Sequence, residues 1–212
     1  MNAPDALFFL SSSCPHCPGV LAGLSALLKR GVIGRLEAVN LECRPEVAAV
    51  HGVRSVPWLR MGPFELTGAR SPAELEVWAQ RAVSAEGMSD AFHDLLKQGG
   101  LAQVLALIQA EPARLAALLP IVANPEASLN VKLGVGVVFE DYAGSPGLRA
   151  LVDGLGALTR HADARVRADA CHLLSLTQAG EARTWLQACL QDADAEVREI
   201  AAESLQTLEE RA

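Results

Sequence analysis

At 212 residues, half of them hydrophobic, the chain can bury one large or two small cores and falls in the globular class, not the disordered or fibrous ones. No apolar run reaches the roughly eighteen residues of a membrane span, the first ten residues carry Asp5 and no Lys or Arg, and five cysteines are too few for a disulfide scaffold, so a cytoplasmic protein without a membrane partner is expected. The net charge of −7 is unevenly spread, with eight Lys/Arg against seven Asp/Glu in residues 1–84 and ten against eighteen in residues 85–212, which argues against nucleic acid as a partner because a phosphate-tracking surface needs a basic stripe.

The first half alternates short apolar runs with helical stretches. "ALFFLS" (6–11) reads as a buried strand, residues 15–30 as a helix with Leu21, Leu24, Leu27 and Leu28 on one side, and "RLEAVNLE" (35–42) as a second, alternating strand. Pro45 opens a short helix to Val50, "VPWLRM" and "PFELTG" suggest a hairpin, and "SPAELEVWAQRAV" begins with Ser71 as N-cap and Pro72 in the first turn. The order β-α-β-α-β-β-α predicts a parallel crossover unit closed by an antiparallel edge.

Beyond "SAEGMSD" (84–90) the pattern is helical, with turn signals at Gly99-Gly100, Pro112, Asn124-Pro125, Ser145-Pro146 and Gly180 and one ambiguous run, "LGVGVVF" (133–139). Here "HADARVRADACHLLSLT" (161–177) lies over "DADAEVREIAAESLQTL" (192–208), matching at seven of seventeen positions. Asp163 and Asp194 sit where an inter-helix turn belongs, Val166, Ala170, Leu174 and Val197, Ala201, Leu205 mark a buried stripe, and Arg167 and Arg198 stand beside it. "SLNVKLGVGVV" (128–138) reads as an earlier, diverged copy with Leu129, Leu133 and Val137 in the stripe positions. These residues resemble HEAT-like repeats, in which an Asp of one repeat pairs with an Arg of its neighbour, and the resemblance implies about three stacked helix pairs with an extended surface for another protein. The expected division is residues 1–84, an α/β domain, and 85–212, an all-α repeat domain.

Cys14-Pro15-His16-Cys17 stands at the predicted strand-to-helix junction. There the helix dipole and unsatisfied amides favour a thiolate at Cys14, Cys17 lies within reach to close a disulfide, Pro15 restrains the first turn, and a protonated His16 would add positive charge. Two other readings stay open at this point. Half of a zinc site would need further ligands, for which Cys43 and His51 are the near candidates, and two small cysteines can simply fill a core. Cys43, flanked by Arg44, is read as an inert thiol with a third redox position as the alternative; Cys171, Cys189, Trp78 and Trp185 are read as core, His51 as structural, and His161 and His172 as unsuited to a metal.

Forty-three residues after Cys14, "VHGVRSVPWL" (50–59) places a Val-Pro step before a strand. Together, the C-x-x-C after a strand, this Val56-Pro57 step, and "FELTGARSPAELEVWA" resemble the thioredoxin superfamily across nearly all of residues 6–84. The resemblance implies Cys14 as nucleophile, Cys17 as resolving thiol, Pro57 as a cis-proline beside the sulfurs, Val56 as a source of backbone hydrogen bonds to an extended substrate, and Trp58 as a wall of the substrate groove. Pro15 and His16 form the dipeptide of the bacterial periplasmic disulfide oxidant, implying a disulfide more oxidising than thioredoxin's. Two positions depart from the family: Phe8 stands where a buried acid is usual, and Ser13 where Trp is common.

The function expected from these readings is a cytosolic protein thiol-disulfide oxidoreductase. Its redox group is the Cys14/Cys17 pair, with no other cofactor and no metal; its partners are a protein client carrying a thiol or disulfide and a reductase for recycling. The alternative is a non-catalytic, redox-sensitive adaptor or scaffold whose repeat domain mediates protein-protein interaction, and Phe8 and Ser13 are the residues that favour it.

Overall fold

Six residues, Asp5–Leu10, form the central strand β1 of a four-stranded sheet in the computed structural model, which describes residues 3–210. The chain then runs through α1 (Cys17–Lys29), β2 (Arg35–Asn40), α2 (Pro45–Val50), β3 (Trp58–Met61), β4 (Phe64–Thr67) and α3 (Pro72–Arg81). The sheet order is β2-β1-β3-β4. β1 pairs with β2 in parallel from Asp5↔Arg35 to Leu10↔Asn40, and antiparallel with β3 from Ala6↔Met61 to Phe9↔Trp58. The mixed sheet therefore matches the expected crossover unit and antiparallel hairpin.

Side chains alternate across a strand, so β1 feeds two cores. Leu7 and Phe9 pack with Ala48 and Trp58 on the α2 side, joined by the half-buried Val53 and Val56. Ala6 and Phe8, 2 % and 0 % exposed, point to the opposite face, which α1 covers as the crossover connection. The buried stripe of α1 is Val20, Gly23, Leu24 and Leu27, whereas Leu28, expected to join it, is exposed. A Cβ at Gly23 would lie 2.9 Å from Leu75 Cδ1, so this glycine lets α1 and α3 cross closely. The α3 helix starts on a capping box: Glu74 N–H donates to Ser71 Oγ at 3.3 Å and Ser71 N–H donates to Glu74 Oε2 at 2.8 Å, as the Ser-Pro start predicts.

The helical elements that follow are α4 (Ala85–Lys97), α5 (Leu101–Ala110), a 3-10 turn (Pro112–Leu118), α6 (Leu119–Val122), α7 (Leu129–Asp141), α8 (Pro146–Arg149), α9 (Val152–Leu158), α10 (Ala164–Thr177), α11 (Ala182–Cys189) and α12 (Ala195–Glu210). The chain divides into two compact units after Met88, inside α4. Among the described residues no helix is long and apolar enough to cross a membrane. The ambiguous run at 133–139 is helical, within α7.

The repeated sequence has a repeated hydrogen-bond pattern. Arg167 Nη1 donates to the carbonyls of His161 and Ala162 at 2.9 and 3.1 Å, and Arg198 Nη1 donates to those of Asp192 and Ala193 at 2.7 and 3.0 Å. In both copies the guanidinium reaches back to two carbonyls of the loop that leads into its own helix and ties that loop down. Asp163 Oδ1 accepts from Arg165 N–H, and Asp194 Oδ1 from Glu196 N–H, each at 2.9 Å, so both aspartates are N-caps. The ion pair between copies uses a different acid from those: Arg167 Nε and Nη2 donate to Asp192 Oδ2 and Oδ1, both at 2.8 Å, a bidentate geometry.

Two stripe expectations need correction. Val166, Ala170 and Leu174 are fully buried, but in the last copy Leu205 is half-buried while Ser204 and Leu208 turn inward, because the last helix is packed from one side only. In α7 the buried residues are Val131, Val135, Val138 and Phe139, and Leu129, Leu133 and Val137 are 70 %, 60 % and 43 % exposed. The helix is apolar on two faces, so a stripe chosen by spacing alone fell on the uncovered one.

The capping carboxylates predict acid sensitivity. Hydrogen bonding to the Arg165 side chain is the main cause that holds Asp163 down at about 2, and Arg167 likewise lowers Asp192. A carboxylate depressed below its unfolded value of about 3.9 contributes stability that is complete above that pH and is lost as pH falls toward the folded value. Thermal melts followed by helical circular dichroism should therefore lose midpoint between pH ~4 and ~2, and Asp163→Asn, which keeps an acceptor but cannot titrate, should flatten that slope.

Candidate functional site

The site is built at the edge of the sheet where β1 and β2 end and β3 begins. One register step past Phe9↔Trp58 lie Leu10 and Pro57, so the segment carrying the cysteines leaves β1 beside the segment carrying the proline. Leu41 N–H donates to the Leu10 carbonyl at 2.9 Å and Asn40 Nδ2 to Ser12 Oγ at 3.1 Å. These bonds fasten the post-β1 turn to the end of β2.

Cys14 and Cys17 are joined by a disulfide with Cα atoms 5.5 Å apart. The helix begins at Cys17 with His16 at its N-cap, and the proline in its first turn is Pro18; Pro15 precedes the helix, correcting the expected start at residue 15. Cys17 N–H donates to Cys14 Sγ at 3.2 Å. The Cys14 sulfur thus occupies the place of an N-cap acceptor, where a helix terminus favours negative charge. Exposure separates the two thiols. Cys17 is 2 % exposed, Cys14 is half-buried, and Pro15 and His16 are exposed.

The Val56-Pro57 bond is cis. Pro57 is buried, has no N–H to donate, and its carbonyl accepts from Gly68 N–H at 2.9 Å. Val56 is half-buried against the Phe9 cluster. Among the described residues no hydrogen bond engages the backbone N–H or C=O of Val56, so both groups are available to an added extended segment. Trp58 does not line a groove: it is 4 % exposed and packs edge-on to Phe9 at 5.5 Å and stacked on His51 at 6.2 Å. Side-chain alternation sends it inward once Pro57 enters the strand, and it forms the floor beneath the loop. His51 has the structural place expected, its Nδ1 3.4 Å from Arg60 Nη1.

Phe8 is 0 % exposed and points to the α1 side of the sheet, so an apolar ring fills this position six residues before Cys14. Cys43 is exposed in the turn after β2, at the same sheet edge. Among the described residues no group of three or more His, Cys, Asp or Glu is placed to hold a metal ion.

The other two cysteines meet in the helical unit, where sequence offered no signal because they stand eighteen residues apart on different helices. The thiols of Cys171 and Cys189 interact by a hydrogen bond, which with burial pushes Cys171 above its usual range. Core packing describes them, with the added thiol contact. Neither a family model nor a curated protein matches this chain.

Proposed function

We propose that residues 1–84 are a thioredoxin-like module that exchanges thiols and disulfides with a protein client, and that the helical residues 85–212, resembling HEAT-like repeats, hold that client. The observation that carries the reading is the asymmetric Cys14–Cys17 disulfide at the start of α1, on the sheet edge that also bears the cis Val56-Pro57 step.

In the reducing direction the Cys14 thiolate attacks one sulfur of a client disulfide, the client S–S bond breaks, and the second client sulfur leaves as a thiolate that takes up a proton. Cys17, deprotonated, then attacks Cys14 Sγ, forming the Cys14–Cys17 bond and releasing the first client thiolate. Two electrons pass from the dithiol to the client. A reductase of dithiol type returns the pair to its reduced form. The backbone groups of Val56, which make no hydrogen bond among the described residues, support an added extended client segment, and proline at 57 places no N–H donor beside it.

Cytoplasmic location remains part of this proposal, resting on the odd, sparse cysteine count. A second reading, the non-catalytic redox-sensitive adaptor, is favoured by one observation: the buried Phe8 is an apolar ring, so that position offers no carboxylate to take a proton from the Cys17 thiol. The test is insulin reduction by dithiothreitol, followed as precipitation of the freed chains. Acceleration by catalytic amounts of the full chain supports the exchange module; a rate equal to the uncatalysed background sinks it in favour of the adaptor.

A further inference from the structure

Four helices of the second unit, α6, α7, α10 and α12, line an open groove with mixed apolar and polar walls, whose unpaired charges are acidic. One part lies between α7 and α10, lined by Lys132, Val135 and Gly136 against Asp169 and His172. It continues at His172 as a cavity of about 520 Å³ between α10 and α12, reaching Glu140, Ile200 and Glu203. A Cβ at Gly136 would meet nothing within 4 Å, so the groove is open over α7.

Helical spacing ties the exposed stripe of α7 to this groove. Leu129, Leu133, Gly136 and Glu140 stand at i, i+4, i+7 and i+11, one row along the helix. Gly136 and Glu140 line the groove; Leu129 and Leu133, 70 % and 60 % exposed, continue the same row as its apolar shoulder. The two leucines offer an aliphatic contact surface directly beside the groove.

Charge selects the occupant. The groove's lysine, Lys132, is already paired, its Nζ 3.2 Å from Asp169 Oδ2. Among the described residues no Lys or Arg pairs with Glu140 or Glu203. Both carboxylates therefore flank an apolar shoulder without compensation, on a half of the chain that carries eighteen acidic against ten basic residues. An acidic or purely apolar ligand would leave them desolvated and unpaired, whereas Lys or Arg would pair with them.

We infer that this groove binds a basic amphipathic segment of the protein client, its aliphatic side chains on Leu129 and Leu133 and its Lys or Arg beside Glu140 and Glu203. The inference rests on the client-holding role proposed for the helical unit and names the chemistry of what is held.

The test is fluorescence anisotropy of a labelled Leu/Lys amphipathic helical peptide titrated with the full chain, beside a Leu/Glu peptide of the same pattern. The Leu/Lys peptide should bind, and more weakly as salt rises; the Leu/Glu peptide should not. Glu140→Lys combined with Glu203→Lys, and separately Leu133→Asp, should each weaken binding about tenfold or more. All three positions are exposed, so circular dichroism should show the variants folded, and Glu181→Lys, an exposed charge reversal outside the groove, should bind as wild type. No binding, equal binding of both peptides, or variants that bind like wild type would overturn the inference. So would self-association that Leu133→Asp abolishes and the Leu/Lys peptide leaves intact, which makes a second copy the occupant. Insulin reduction, measured on the same preparations, reports on the cysteines alone, so loss of one result leaves the other readable.

Discussion

Cys17→Ser should turn the full chain into a trap that stays covalently joined to its client through Cys14, and Cys14→Ser should lower exchange by roughly a thousandfold or more. The asymmetry follows from exposure. A client sulfur can reach the half-buried Cys14, whereas Cys17 at 2 % exposure can be reached only by its partner. With serine at 17 the mixed disulfide forms and nothing inside the chain resolves it. With serine at 14 the remaining thiol is shut away, and the Cys17 N–H that donates to Cys14 Sγ bonds a hydroxyl that cannot attack. Cys17→Ser also buries a hydroxyl where a thiol packed, at a stability loss of about 1–3 kcal/mol, so the trap is best read at low temperature. Reduced variants mixed with insulin and separated on a non-reducing gel provide the measurement. Equal adducts from both variants, or none from Cys17→Ser, would remove the assignment of Cys14 as the attacking sulfur.

The parts of the fold legible in the sequence are those whose signals are local. Ser71 and Pro72 announced the start of α3 because an N-cap and a first-turn proline lie within one turn, and the alternation of 35–42 announced β2 because period two is local as well. The repeated Asp and Arg positions were visible for the same reason: each copy builds its own caps. What stayed hidden depends on which face the rest of the chain covers. Leu129 and Leu133 have the spacing of a core stripe, yet Val131, Val135 and Phe139 on the same helix are the residues covered, and a helix apolar on two faces gives periodicity nothing to choose between. Trp58 was placed in a groove by its neighbour Pro57, and only the pairing Phe9↔Trp58 fixes it inward. Asp192 was missed as the partner of Arg167 because its equivalent in the preceding copy is His161, which breaks the repeat at the position that makes the ion pair.

Phe9→Ala should produce the largest loss of stability in the first unit, and a loss of exchange beyond what instability explains. The ring is 0 % exposed, meets Trp58 edge-on at 5.5 Å and lies 5.8 Å from the His51 ring. Truncating such a phenylalanine costs about 3–5 kcal/mol, from lost transfer energy and the cavity left behind, and the edge-to-face contact adds about 0.5–1.5 kcal/mol. For a unit of this size the thermal midpoint should fall by more than about 10 °C. The functional part of the argument lies in what the cluster supports. Val53 and Val56 rest on it, so removing Phe9 takes the floor from the segment that carries Val56 and Pro57. Phe64→Ala is the control. Phe64 is equally enclosed, 2 % exposed, but its ring meets Trp78 of α3 at 5.1 Å, on the face of the sheet away from that loop. At a temperature where both variants are folded by circular dichroism, insulin reduction should be about tenfold slower in Phe9→Ala and near wild type in Phe64→Ala, since misplacement of positioning groups is what slows exchange. Equal rates in the two variants would show that the Phe9 cluster contributes stability alone and that the loop before Pro57 holds its shape without it.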